Sequence, residues 1–346
     1  MRRPAGIASC PGLRTVVLRP EGLAVDEIDS DRTVFTLICP DALARHLGVA
    51  VLERIESAGF WPVAWRVLWH RPDELDLFHE QNITQVWKAY RYRLVDQLFA
   101  FGPAVAMLVA DQHPAGDGHQ SSHERLRLAK GPSDPARSGP GTIRDDLGSV
   151  NAMLSLMHCA DSPADSAREG RVFAGAGGFT RGEEGELRTM LALLETSRPR
   201  EVRGYREVLA GLRAKTLAAA WDDLPRPVRK TAAVMLEGGV AELAAPGSGA
   251  RLAALLPDAH PLAALLGADF TPRSPGPDPA RVGVLLAALG TGIDDWESLV
   301  LATSRRFPPR RLDQDLEQEE IMPWPQCSSE PNSAPRRNWR RPPASP

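Results

Sequence analysis

Cysteine is scarce in this chain. The four present among 346 residues, Cys10, Cys39, Cys159 and Cys327, form neither a Cys-x-x-Cys pair nor a regular framework. That argues against structural zinc and against a disulfide-built secreted domain, and it fits a reducing cytoplasm. Charge of one sign is equally lacking. With 41 Lys and Arg against 44 Asp and Glu the net charge is −3, so no global positive field recruits nucleic acid or an anionic membrane. Long apolar runs are missing too: residues 4–19 contain none of signal-peptide length, and no later stretch approaches the roughly 20 apolar residues of a membrane span. What remains, 43% hydrophobic and 25% charged residues, is the composition of a soluble globular protein with ample chain for a core and for about two domains.

Taken in order, residues 1–31 look like an extension with one short β-favouring run, Thr15-Val16-Val17-Leu18. Residues 33–38, TVFTLI, are expected to be a central buried strand ended by Pro40. Asp41 is placed to cap a helix carrying Leu43, Leu47, Val51, Leu52 and Ile55 up to Gly59. Residues 60–69 return to strand character, with Trp61, Val63, Trp65, Val67 and Trp69 sharing a face by period-2 alternation. Two helices are expected over 72–79 and 84–101, then a buried strand over 104–110. Strand, helix, strand, helices, strand indicates an α+β sandwich with helices on a small sheet.

A polar insertion follows at 111–122. His113, His119 and His123 lack the acidic partners of a metal site, so a solvated loop is the better reading there. A short helix over 124–130 carries Arg125 and Arg127, and a Pro/Gly/Ser-rich loop leads to Gly141. Residues 161–168 show an N-cap and a helix with Pro163 in its first turn. Beyond the small-residue run 174–178 the composition turns to Ala, Leu, Arg and Glu. Helices are expected near 183–196, 202–220, 227–243, 250–256 and 279–301, making a helical domain over 177–304. Residues 305–346, rich in Pro, Ser, Arg and Glu, read as a disordered tail.

Chemistry concentrates in residues 141–162, GTIRDDLGSVNAMLSLMHCADS. A neutral imidazole such as that of His158 can attack phosphorus, hold the phosphoryl group as a phosphoramidate and release it again. Arg144 is the cation at hand for such a step. The block resembles the nucleoside diphosphate kinase family, whose histidine sits in Asn-x-x-His-Gly-Ser-Asp-Ser soon after Gly-Thr-Ile-Arg-Gly-Asp. A second anchor is Gly102-Pro103-Ala104-Val105-Ala106-Met107, similar to the family's Gly-Pro-Val-Val-Ala-Met. The resemblance covers about residues 32–170, within a domain expected over 32–176, and implies a ferredoxin-like antiparallel sheet covered by helices.

By that resemblance His158 is the phosphorylated histidine and Glu169 the carboxylate that orients its ring. Arg144, Arg127 and Ser133 are phosphate-binding, and Tyr92, like Tyr90, lies where the family offers a base-stacking aromatic. Asp161 either holds Mg²⁺ through water or caps its helix. The family asparagine that contacts the sugar falls on Ser155 or Asn151, and its tyrosine on Phe78 or His79. Cys39 takes the place of the family lysine in Lys-Pro-Asp-Gly, where loss of a cation that meets the transferred phosphate typically costs roughly 10² to 10³ in rate. Lys88, Arg91 and Lys130 are cations that could compensate.

The implied activity is ping-pong transfer of the γ-phosphoryl group of ATP or another nucleoside triphosphate to a nucleoside diphosphate, with Mg²⁺ and in a homo-oligomer. The alternative is a catalytically weak nucleotide-binding module whose helical domain engages a protein partner.

Overall fold

Six uncharged residues, TVFTLI, form strand β1 (Thr33–Ile38), and all six are buried. A strand apolar on both faces must be covered on both faces and lie inside its sheet. It does: the order is β2-β3-β1-β4, with β2 at Phe60–Leu68, β3 at Ala104–Asp111 and β4 at Met157–Cys159. Every pairing is antiparallel, giving the ferredoxin-like sheet of an α+β fold. The computed structural model describes residues 31–69, 91–113, 120–174, 178–182, 184–257 and 259–310. The expected extension, the helix over 72–79, the first part of that over 84–101, His119 and the tail beyond Arg310 lie outside the described residues.

The helix expected over 41–59 is two helices, α1 (Pro40–Ala44) and α2 (Gly48–Ser57), because His46 between them takes a left-handed φ of 55°. Asp41 does not cap α1. Cys39 precedes that helix without a side-chain cap, and the Asp41 carboxylate instead turns inward to accept from the Leu156 N–H at 3.0 Å. The alternation expected along β2 also fails, since the register against β3 shifts between Pro62 and Ala64. Trp65 is buried at 7% exposure while Trp61 and Trp69 stand out at 39% and 60%. A bulge is best tolerated beside a proline, which has no ladder N–H to lose.

Helices α3 (Arg91–Phe101), α4 (Ser122–Lys130), α5 (Ile143–Asp146) and α6 (Pro163–Ala174) complete the first part of the chain. Next come α7 (Glu184–Thr196), α8 (Tyr205–Ala219), α9 (Arg226–Glu237), α10 (Gly239–Leu243), α11 (Ser248–Ala253), α12 (Ala263–Gly267), α13 (Pro279–Ala288) and α14 (Asp295–Ser304). The single helix expected over 227–243 is broken at Gly238-Gly239, where Gly239 has φ 57°. That over 279–301 is broken before Asp294, which opens α14 with a capping box to Glu297. The five-residue α12 is too short to leave a periodic signature.

These helices share apolar clusters with the sheet. Phe35, Leu37, Val95 and Phe99 join one cluster with Val208, Leu212, Trp296 and Val300, and the Phe101 and Trp296 rings lie 5.5 Å apart. On the opposite face Val34, Val51, Leu52 and Ile55 pack with Leu187 and Leu191 of α7. Arg188 of α7 pairs with Glu53 at 2.6 Å and Glu56 at 2.8 Å. Thr180 exchanges two 3.0 Å backbone hydrogen bonds with Trp65 on the outer side of β2.

Within the C-terminal helices the polar centre is Arg213, fully buried. Its guanidinium donates to the carbonyls of Leu243, Leu266 and Ala268, to Ser248 Oγ and to Asp269 Oδ1 at 2.7–3.1 Å. All five of its donors are thereby used, and α8 is tied to the ends of α10 and α12. Arg213→Met is expected to lower unfolding free energy by about 3 kcal/mol or more, because buried carbonyls lose their donors; urea denaturation measures it.

Candidate functional site

Strand β4 places the histidine. It is only three residues long, and its central residue pairs with Leu37 of β1. Period-2 geometry therefore turns Met157 and Cys159 to one face and His158 to the other. The His158 ring lies 6.4 Å from that of Phe35, which itself stacks on Phe173 at 5.1 Å. Ser162 caps α6, accepting from the Asp165 N–H at 3.1 Å, and that helix presents Glu169 beneath the imidazole. His158 Nε2 and Glu169 Oε2 are 2.8 Å apart, with the histidine side chain 32% exposed and the glutamate 6%. A proton shared on Nε2 leaves the lone pair on Nδ1. Arg168 holds the other glutamate oxygen at 3.0 Å.

The outward-facing carbonyls of β4, and that of Ser155 two residues before it, are met by cations. Arg144, buried in α5, donates from Nε to the Ser155 carbonyl at 3.1 Å and from Nη2 to Ser155 Oγ at 3.2 Å and the Met157 carbonyl at 2.7 Å. Its Nη1 donates to the Gly131 carbonyl at 3.0 Å. Lys130, the last residue of α4, is also buried, and its Nζ donates to the Cys159 carbonyl at 3.4 Å. Neither cation makes an ion pair among the described residues. Burial pulls the Arg144 guanidinium below its ordinary range.

The sequence candidates thus fall into three groups. His158 and Glu169 are brought together, and so are Arg144 and Ser155. Asp161 is exposed on the turn after β4, the capping there being done by Ser162. Ser133 is exposed as well, and Arg127 is half-exposed on α4, 3.7 Å from Glu124. Cys39 lies buried in the apolar cluster with Phe35 and Leu37. Burial first, then the neighbouring Asp41, pushes its thiol up, so it stays neutral. Tyr92 lies in α3, but its side chain is outside the described residues. Asn151 is fully buried: it accepts from the Met153 and Leu154 N–H groups at 2.9 Å and donates to Thr303 at 2.9 Å and Ser304 at 3.2 Å of α14.

Two features of the neighbourhood were missed from the sequence. His123 is buried, not solvated, with Nε2 2.8 Å from Ser166 Oγ, which also accepts from the Phe35 N–H. Burial holds that imidazole below its usual range. The buried place of Lys130 did have a signal, since it lies four residues after the fully buried Leu126 on the same helix stripe.

A family model for nucleoside diphosphate kinase matches residues 31–176. The nucleoside diphosphate kinase of Archaeoglobus fulgidus is 30% identical over 139 residues, 40% of this chain and 83% of that one. That of Streptomyces avermitilis is 31% identical over 144 residues, 42% of this chain and 96% of its own. The chain belongs, through this segment, to the nucleoside diphosphate kinase family. A solved Aquifex aeolicus nucleoside diphosphate kinase is 19% identical, with a TM-score of 0.36, and covers 43% of this chain and 99% of its own.

Asp41, fully buried behind the histidine loop, carries a pH signature. Burial raises its carboxyl to about 6 against the Leu156 hydrogen bond and the Arg45 charge, which lower it. A carboxyl raised in the folded state stabilises it fully below its ordinary value of 3.8, and that contribution is lost as pH rises to about 6. The difference is on the order of 3 kcal/mol. Stability measured by denaturation from pH 4 to 7 should therefore decline less steeply for Asp41→Asn than for the unmodified protein.

Proposed function

We propose that this chain is a phosphotransferase that moves the γ-phosphoryl group of a nucleoside triphosphate to a nucleoside diphosphate through His158. The observation that supports it most is the carboxylate-held imidazole on a strand whose carbonyls are bound by two buried cations that make no ion pair among the described residues. In the first half-reaction the Nδ1 lone pair attacks the γ-phosphorus. A P–N bond forms as the bond to the bridging oxygen breaks, and the nucleoside diphosphate leaves with that electron pair. In the second half, the terminal oxygen of another nucleoside diphosphate attacks the phosphohistidine and the P–N electrons return to Nδ1. Glu169 keeps the Nε2 proton in place throughout, so one tautomer serves both directions.

The negative charge spread over the transferred group requires fixed positive charge nearby. Arg144 supplies charge and rigidity together, because it holds the backbone that leads into the nucleophile, at Ser155 and Met157. Ser133 and Arg127, exposed on the loop and helix next to that strand, are assigned to the remaining phosphates, and Ser155 to the nucleotide side of the arginine. Among the described residues no cluster of three His, Cys, Asp or Glu could hold a metal. The exposed Asp161 nevertheless fits the mode in which Mg²⁺ takes one carboxylate, waters and substrate phosphates. When bound, Mg²⁺ supplies charge neutralisation on those phosphates.

A nucleotide-binding module with little turnover is the alternative, and the neutral, buried Cys39 at the end of β1 favours it. Incubation with γ-labelled ATP separates the two: acid-labile label on the unmodified protein and none on His158→Ala is expected, and an unlabelled unmodified protein defeats the phosphotransferase. Glu169→Gln should accept label about 10²-fold more slowly, since the ring loses the group that orients it.

A further inference from the structure

We propose that the Lys130 ammonium is the group that receives the oxygens of the transferred phosphoryl. It deepens the function given above and rests on it. Three observations carry it. Lys130 is 7% exposed, so its charge is withdrawn from water. Its sole hydrogen bond among the described residues is the 3.4 Å contact to the Cys159 carbonyl, and it has no carboxylate partner there. That carbonyl belongs to the residue next to His158.

An ammonium has three donors, and here two are uncommitted. Burying such a charge beside no counter-ion is unfavourable unless another group completes the site. The acceptor it lacks is an anion, and the group that must arrive at the neighbouring imidazole is one. Arg144 does not compete for this role, because four of its hydrogen bonds already go to Ser155, Met157 and Gly131. Lysine's flexible stem lets the charge follow the phosphorus as it passes between oxygen and nitrogen, which a guanidinium locked on three segments of backbone cannot do. Cys39 and Cys159 are both buried nearby, and the charges of Arg144 and Lys130 both act on the Cys39 thiol.

The test is Lys130→Met in the full chain. Methionine matches the stem and removes a buried charge, so the variant should fold and melt at the same temperature or higher, and should accept label from γ-labelled ATP roughly 10²-fold more slowly. Its affinity for ADP, which lacks the transferred group, should stay within about threefold of the unmodified protein, and Lys130→Arg should recover part of the rate. A Lys130→Met protein that labels within about threefold of the unmodified rate overturns the assignment. One that no longer folds does so too, because the ammonium would then serve the fold. If the unmodified protein takes no label, the phosphotransferase function fails separately. Tripolyphosphate binding then decides Lys130: weakening of about tenfold or more in Lys130→Met sustains the assignment, and unchanged binding overturns it.

Discussion

Everything at the site hangs on a guanidinium bound to backbone. Arg144 takes hold of the carbonyls of Ser155, Met157 and Gly131, and those three belong to the approach to β4, to β4 itself and to the end of α4. A strand of three residues has little ladder of its own to fix it, and only its inner edge pairs with β1. The outer edge is fixed by side-chain cations. A positive charge used as an internal strut therefore gives the nucleophile a rigid mount and an electropositive setting at once, and the desolvation of that charge is offset by charge-assisted hydrogen bonds to carbonyl dipoles.

Much of this was legible in the sequence. The TVFTLI run announced a central strand by being nearly continuously apolar and rich in β-formers, and the Gly-Thr-Ile-Arg block with its following histidine marked the site because phosphoryl chemistry needs those groups close together. Glu169 was found through the family resemblance, and in the structure one turn and two helical turns bring it to His158. What could not be read was set by tertiary geometry. Nothing local says that Asp41 prefers the Leu156 N–H to its own helix, or that the chain turns left-handed at His46. Period-2 alternation misplaced the tryptophans of β2 because one bulge at Pro62-Val63 reverses the faces. The burial of Lys130 depends on which stripe of α4 meets the sheet; Leu126 four residues earlier marks that stripe, but only the packing shows that it faces inward.

The C-terminal helices enter the same logic through Asn151. That side chain shapes the loop before β4 by accepting from Met153 and Leu154, and reaches Thr303 and Ser304 of α14 with its other end. Arg310 adds a second link, donating to the Val150 carbonyl from its backbone and to Asp145 from its side chain. The loop that leads into the nucleophile's strand is therefore held from both directions, by α5 from within and by α14 from outside. A helical region that would otherwise be an appendage is part of the frame of the site.

The Thr180 bridge on β2 has a consequence for how the molecule meets copies of itself. A sheet grows by adding strands at a free margin. Here one margin is occupied midway along β2 by the backbone of Thr180, and the other is stoppered along β4 by Arg144 and Lys130. Among the described residues neither margin offers a continuous row of vacant donors and acceptors to an incoming strand. An incoming strand would have to displace Thr180 from β2, or the two cations from β4, before it could pair with the sheet.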